Sequence, residues 1–183
     1  MNNEILSEAI QFPWAALITG VAGVVGALGG AYLANLFAEK RWSEQVKHDL
    51  EKDKKKIMRE KGEEALITFK KWEKELYFFN ASRIGYIQGA ISEESLNKTI
   101  DEKVDPTTHG ILDVLVSIYF YELYDDLKMI HTQSKKLQDL FHLYHQHLPN
   151  MIGAEHMKRE AAVYERQCEH FERKLRIAIK EYI

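Results

Sequence analysis

The sequence predicts an all-α protein with one N-terminal transmembrane helix, a charged helical stem and a cytoplasmic antiparallel three- or four-helix bundle. Three observations predict it. Only three prolines, Pro13, Pro106 and Pro149, interrupt 183 residues, and strand-like alternation is absent. No charged residue falls between Glu8 and Glu39, whereas a helix of ~20 apolar residues already crosses a bilayer core. From residue 63 onward, apolar residues recur at helical spacing, in two places as heptads.

Residues 1–11 read as a short outside tail and 12–38 as the span. The tail holds no Lys or Arg, unlike a signal peptide, whose leading region is basic. Gly20, Gly23, Gly26, Gly29 and Gly30 fit a membrane helix better than a water-soluble one, where each glycine costs ~1 kcal/mol against alanine. Trp14 and Trp42 stand near the two ends as headgroup anchors. Lys40 and Arg41 open a cation-rich flank that resists translocation. These flanks predict a single pass through the cell's inner (plasma) membrane, with the N-terminus outside and the C-terminal domain cytoplasmic. Ala22, Gly26, Gly30, Ala34 and Ala38 recur every four residues on one face. Such a face lets backbones approach closely in lipid, and it predicts a homo-oligomer through the span.

Residues 39–62 form the stem. Acids and bases are mixed there, with a thin stripe of Trp42, Val46, Leu50 and Ile57, and Gly62 reads as a hinge or break. The bundle, 63–183, begins with a strongly amphipathic helix marked by Leu66, Phe69, Trp72, Leu76, Phe79, Ile84, Ile87 and Ile91. Asn80 and Arg83 interrupt its stripe, either as a polar site or as a buried pair that fixes register. Ser92 reads as the N-cap of a short helix ending near Glu102, with Glu93 and Glu94 in its first turn. Asp105 before Pro106 signals the next helix start.

That next helix is expected to be the longest, from about Thr108 to Leu148. Phe120, Leu127, Ser134, Phe141 and Leu148 hold one heptad position; Val116, Leu123, Ile130, Leu137 and Tyr144 hold the other. Pro149 ends it. The last helix is expected after Gly153, with Met157, Tyr164, Phe171 and Ala178 on one seam and Ala161, Cys168, Leu175 and Tyr182 on the other. The short link between the two helices predicts antiparallel packing.

Candidate chemistry is sparse. His142, His145 and His147, followed by Glu155 and His156, could hold zinc around a helix end. The cluster lacks a defined zinc spacing, and histidines near a helix C-terminus gain from the macrodipole in any case. Cys168, the only cysteine, falls in a seam and reads as a buried, inert thiol. Arg166 with His170, and Arg41 with His48, do not match the Arg–His spacing of helical ribonucleases. No phosphate-binding glycine loop, catalytic carboxylate pair or Ser-His-Asp order emerges. Neither catalytic nor cofactor nor metal residues are therefore assigned, and a net charge of −3 gives no reason to expect nucleic acid. Glu122, Asp125 and Asp126 read as a solvated acidic face.

ELYFFN at 75–80, after Trp72, and IYFYEL at 118–123 resemble segments of uncharacterised bacterial proteins with one N-terminal span and a cytoplasmic helical domain. Those proteins usually carry Pro where this chain has Tyr121, and some lie near phage-defence genes. The resemblance implies a defence role and brings no catalytic residue with it. The function expected is thus non-enzymatic: a single-span protein in the lipid bilayer whose bundle binds an unidentified cytoplasmic protein or self-associates. The alternative is an oligomeric membrane-disrupting effector in phage defence.

Overall fold

The structure, a computed structural model, describes residues 14–182, with side chains from Leu17. The expected tail, 1–11, lies outside the described residues, as do Phe12, Pro13 and the side chain of Trp14. The described chain is all-helical, with five α-helices, one 3-10 turn and no strand. It divides into two compact units at Lys52/Asp53, and helix α1 (Trp14–Ile87) contributes to both.

In the first unit every described side chain is exposed, the apolar ones included. This is the one helix among the described residues that is long and apolar enough to cross a membrane, by length and composition. Arg41 folds back along it, donating from Nε to the Phe37 carbonyl at 3.2 Å.

The second unit has a single main core, drawn from α1 after residue 58, α3 (Thr108–Tyr119), α4 (Tyr124–Tyr144) and α5 (Met151–Lys180). Phe69, Leu112, Val116, Leu127, Ile130, Leu137, Phe171 and Leu175 are fully buried in it. Burying a side chain of this size contributes ~1.5–3 kcal/mol, so the core outweighs any single polar contact around it. Helix α5 runs antiparallel to α4. Asp126 meets Lys174, Gln133 meets Glu160, and Tyr144 meets His156, one chain advancing as the other retreats. Helix α5 also runs back along α1, where Lys70 pairs with Glu172 and the ring of Phe69 lies 4.9 Å from that of Phe171. The link from α4 to α5 is tied to α1 by a backbone bond from Asn150 N to Ile87 O of 2.7 Å.

The short α2 (Glu93–Lys103) forms where its caps predict. The Ser92 hydroxyl accepts from Ser95 N at 3.2 Å, and Glu93 and Glu94 sit in the first turn. Asp105 accepts from the Thr107 amide and hydroxyl, a turn that launches α3.

The largest departure from the sequence reading lies between Thr108 and Leu148. One long helix is expected there, but the chain folds back on itself at Phe120, whose φ/ψ of −135°/47° leaves the helical region. A 3-10 turn, Tyr121–Leu123, follows, and α4 then runs back beside α3, so that His131 meets both Asp113 and His109. The longest helix is α1, not this one. Phe120 and Leu123 are both buried in the turn, so tertiary burial supplies the reversal without Gly or Pro. The heptads survive only within α4, and Leu148 is 39% exposed.

Two glycines also differ from expectation. Gly62 is neither hinge nor break. It lies inside α1, where an added Cβ would stand 2.5 Å from Ile179 Cγ1 and 3.2 Å from Phe120 Cζ. The last helix begins before Gly153, not after it, because Asn150 caps it by accepting from Gly153 N at 2.8 Å. A Cβ at Gly153 would meet Tyr144 Cγ at 2.5 Å, so the residue is a point of close helix approach. Near the end of α5, Ile179 is buried, whereas Ala178 is only partly so.

Candidate functional site

The membrane-face residues named from sequence, Ala22, Gly26, Gly30, Ala34 and Ala38, lie in the first unit and are all exposed. Added Cβ atoms at Gly20, Gly23, Gly26, Gly29 and Gly30 would meet nothing within 4 Å. The anchors Lys40, Arg41 and Trp42 are exposed as well, Trp42 at 69%.

In the second unit, the polar interruption at Asn80 and Arg83 is buried. The Arg83 guanidinium lies 3.7 Å from the Phe79 ring centre and 4.6 Å from that of Phe141, and its Nε and Nη1 are buried without a hydrogen bond. Burial without a counter-ion lowers its pKa to about 10, still charged at neutral pH. Aromatic faces partly compensate such a cation, by ~2 kcal/mol when desolvated.

The histidine cluster is split by the fold. His142 and His145 gather around the Phe141 ring, and His145 Nδ1 lies 2.9 Å from the His142 carbonyl. His156 turns instead to the Tyr144 hydroxyl at 3.0 Å and towards Glu160. No group of three or more His, Cys, Asp or Glu among the described residues is placed to hold a metal ion. Cys168 is fully buried, and burial pushes its thiol up to about 12, which removes the thiolate needed for nucleophilic chemistry. Burial likewise holds the neighbouring Tyr164 hydroxyl well above its ordinary value. Of the acidic face, Asp126 is tied to Lys174 at 2.8 Å, while Glu122 and Asp125 stay exposed.

Three buried polar residues, Glu75, Thr108 and Gln133, were not foreseen. Glu75 sits on the apolar stripe of α1, accepts from the Thr108 hydroxyl at 3.1 Å and approaches Lys71 at 3.7 Å. Lys71 in turn binds Asp105 and holds that carboxyl far below the usual range. Gln133 donates to the Glu160 carbonyl and carboxylate across α4 and α5. Lys136 binds the same carboxylate and, with Gln133, lowers its pKa. The only sequence signal for Glu75 and Gln133 is helical phase: each lies three positions after one apolar stripe residue and four before another, Trp72 and Phe79 for Glu75, Ile130 and Leu137 for Gln133.

A groove of about 680 Å³ opens between α1 and α5. Tyr77, Phe78, Ile84, Ala161 and Ala162 give it an apolar wall, with Glu165 and Glu169 at its acidic end. Its size falls within the range of small-ligand clefts, but its chemistry is mixed and names no substrate. No known protein family matches the chain, nor does any curated protein or solved structure.

Proposed function

We propose that this chain is a non-enzymatic, single-span protein of a bacterial inner membrane. Its N-terminus lies outside and its second unit, an antiparallel helical bundle, is held on the cytoplasmic side, where it binds another protein or another copy. The observation that carries this reading is the uniformly exposed apolar surface of α1 from Leu17 to Ala38. In water that surface would be a large liability, whereas in a bilayer it is the favoured state.

The glycine pattern supports self-association. Gly20, Gly23, Gly26, Gly29 and Gly30 cost backbone stability, and no contact among the described residues requires them. Close packing of helices in lipid does. The bilayer and a second copy are thus the partners the first unit fits.

Fractionation with protease protection tests the reading. The chain is expected in the carbonate-resistant membrane fraction, and protease added to spheroplasts should leave the part after Arg41 intact. A carbonate-extractable chain would end the membrane reading, and digestion without permeabilisation would reverse the orientation. In a membrane two-hybrid assay, Gly26→Ile with Gly30→Ile should weaken association without blocking insertion. The same small-residue face would also serve the alternative reading, a membrane-disrupting effector. Unchanged membrane potential and growth on overexpression would count against that alternative.

A further inference from the structure

Every residue lining the groove of about 680 Å³ in the second unit comes from α1 or α5. Ala81, Ala161 and Ala162 leave room between the two helices, and Tyr77 and Phe78 add aromatic surface beside them. The α1 side runs from Glu73 to Ile84, about 16 Å of helix. An extended chain covers that distance in about five residues.

Asn80 lines the groove, is only 6% exposed and has no hydrogen-bond partner among the described residues. Its carboxamide atoms are not sealed off as Nε and Nη1 of Arg83 are. A buried amide left unpaired costs folding stability, and the fold supplies nothing to offset it here. A carboxamide sets an N–H donor beside a C=O acceptor, which complements the C=O and N–H of a peptide group. In a helix those groups are already bonded to one another, whereas in an extended segment they stay free.

The charges on the lining narrow the partner further. Glu73 is bound by Lys70 at 2.8 Å, and Lys158 by Glu155 at 2.7 Å. Glu165, Glu169 and Lys74 have no ion-pair partner among the described residues, so the unspent charge is acidic on balance. Such a surface complements lysine or arginine.

We propose that this groove binds an extended segment of another protein, about five residues long. Its apolar side chains lie against the alanines, a lysine or arginine sits beside Glu165 and Glu169, and Asn80 pairs with one of its peptide groups. The assignment rests on the partner-binding reading given above and gives that partner its chemistry.

Two fluorescein-labelled peptides test it, Leu-Lys-Leu-Lys-Leu amide and Leu-Glu-Leu-Glu-Leu amide. Binding is read by fluorescence polarisation against the full chain in phosphatidylcholine nanodiscs, with empty discs as the blank. The lysine peptide is expected to bind, and the glutamate peptide to bind several-fold more weakly. Glu165→Lys with Glu169→Lys, both at exposed positions, should reverse that preference. Asn80→Ala should weaken the lysine peptide by about tenfold, the effect of losing two neutral hydrogen bonds. The same variant should not lower the unfolding midpoint, because Asn80 makes no hydrogen bond within the described chain; a purely structural asparagine would lower it. Failure of both peptides to bind, binding indifferent to Asn80→Ala, or a preference that survives the charge reversal would overturn the assignment. If neither peptide binds while the chain resists carbonate and associates in the two-hybrid assay, the groove assignment falls and the function proposed above stands. If the lysine peptide binds but carbonate extracts the chain, the groove assignment stands and the membrane reading falls.

Discussion

The same residue, glycine, does opposite things in the two units. At Gly62 and Gly153 the missing Cβ is demanded from within the chain, since Ile179 and Tyr144 occupy the space it would fill. Between Gly20 and Gly30, five glycines face nothing within 4 Å. The first pair are consequences of intrachain packing, and their cost is returned by close helix contact. The second set finds no such return among the described residues. The apolar side chains divide in the same way. Phe69 is sealed between Trp72 and Phe171, whereas Phe37 is 61% exposed.

Substitutions in matched pairs can break this contrast. The largest effect is expected for the phenylalanines. Phe69→Ala should destabilise the second unit by ~3–5 kcal/mol, the usual cost of an aromatic cavity, in denaturant unfolding of the full chain in detergent. Phe37→Ala should leave that transition where it is. Equal effects would mean that the two units unfold as one.

The glycines come next. Gly153→Ala should cost ~1–3 kcal/mol, because the new methyl meets the Cβ and ring stem of Tyr144 rather than a flexible chain end. Gly62→Ala should cost less, since Ile179 can rotate away and alanine returns ~1 kcal/mol of helix propensity. Gly26→Ala should not move the same transition at all. A loss of stability in that variant would reveal a packing partner for the glycine face within the chain.

Arg83→Met is expected to be neutral or stabilising by ~1 kcal/mol, because the substitution removes a buried, uncompensated charge while keeping most of the side chain's packing volume. A clear loss in the same assay would show that the guanidinium stacking on Phe79 and Phe141 outweighs its desolvation.

The smallest effect concerns pH. Burial lowers the pKa of His131, the nearby Asp113 opposing the shift and His109 adding to it. The unfolded chain therefore binds a proton first. Stability should fall as pH drops from ~6.5 towards the lowered native value, and be flat above that window. His131→Gln should flatten the slope between those limits. An unchanged slope would assign it to another group.

Much of the helical pattern was legible in the sequence because it is local. Ser92 with Glu93 and Glu94 starts a helix by chemistry confined to one turn. The stripe from Leu66 to Ile87 repeats at helical period, and the run to Ala38 declares itself by lacking charge. The reversal at Phe120 was not legible. Its turn, Tyr121–Leu123, carries no Gly, Pro or Asn, and the residues on either side continue an apolar heptad by coincidence of phase. The placement of the histidines was not legible for a related reason. Spacing placed His142, His145 and His156 near one helix junction, but ring packing on Phe141 and the hydroxyl of Tyr144 sends them to different neighbours.

By itself, then, the sequence determined which segments are helical and which one is apolar enough for a bilayer, because hydrogen bonding along a helix and transfer from water depend on neighbours close in the chain. The tertiary structure alone decided where α3 turns back, which glycines are crowded, and that Glu75, Arg83 and Gln133 are buried. Those outcomes depend on side chains tens of residues away competing for the same volume, and the winner is set by the apolar area each arrangement removes from water.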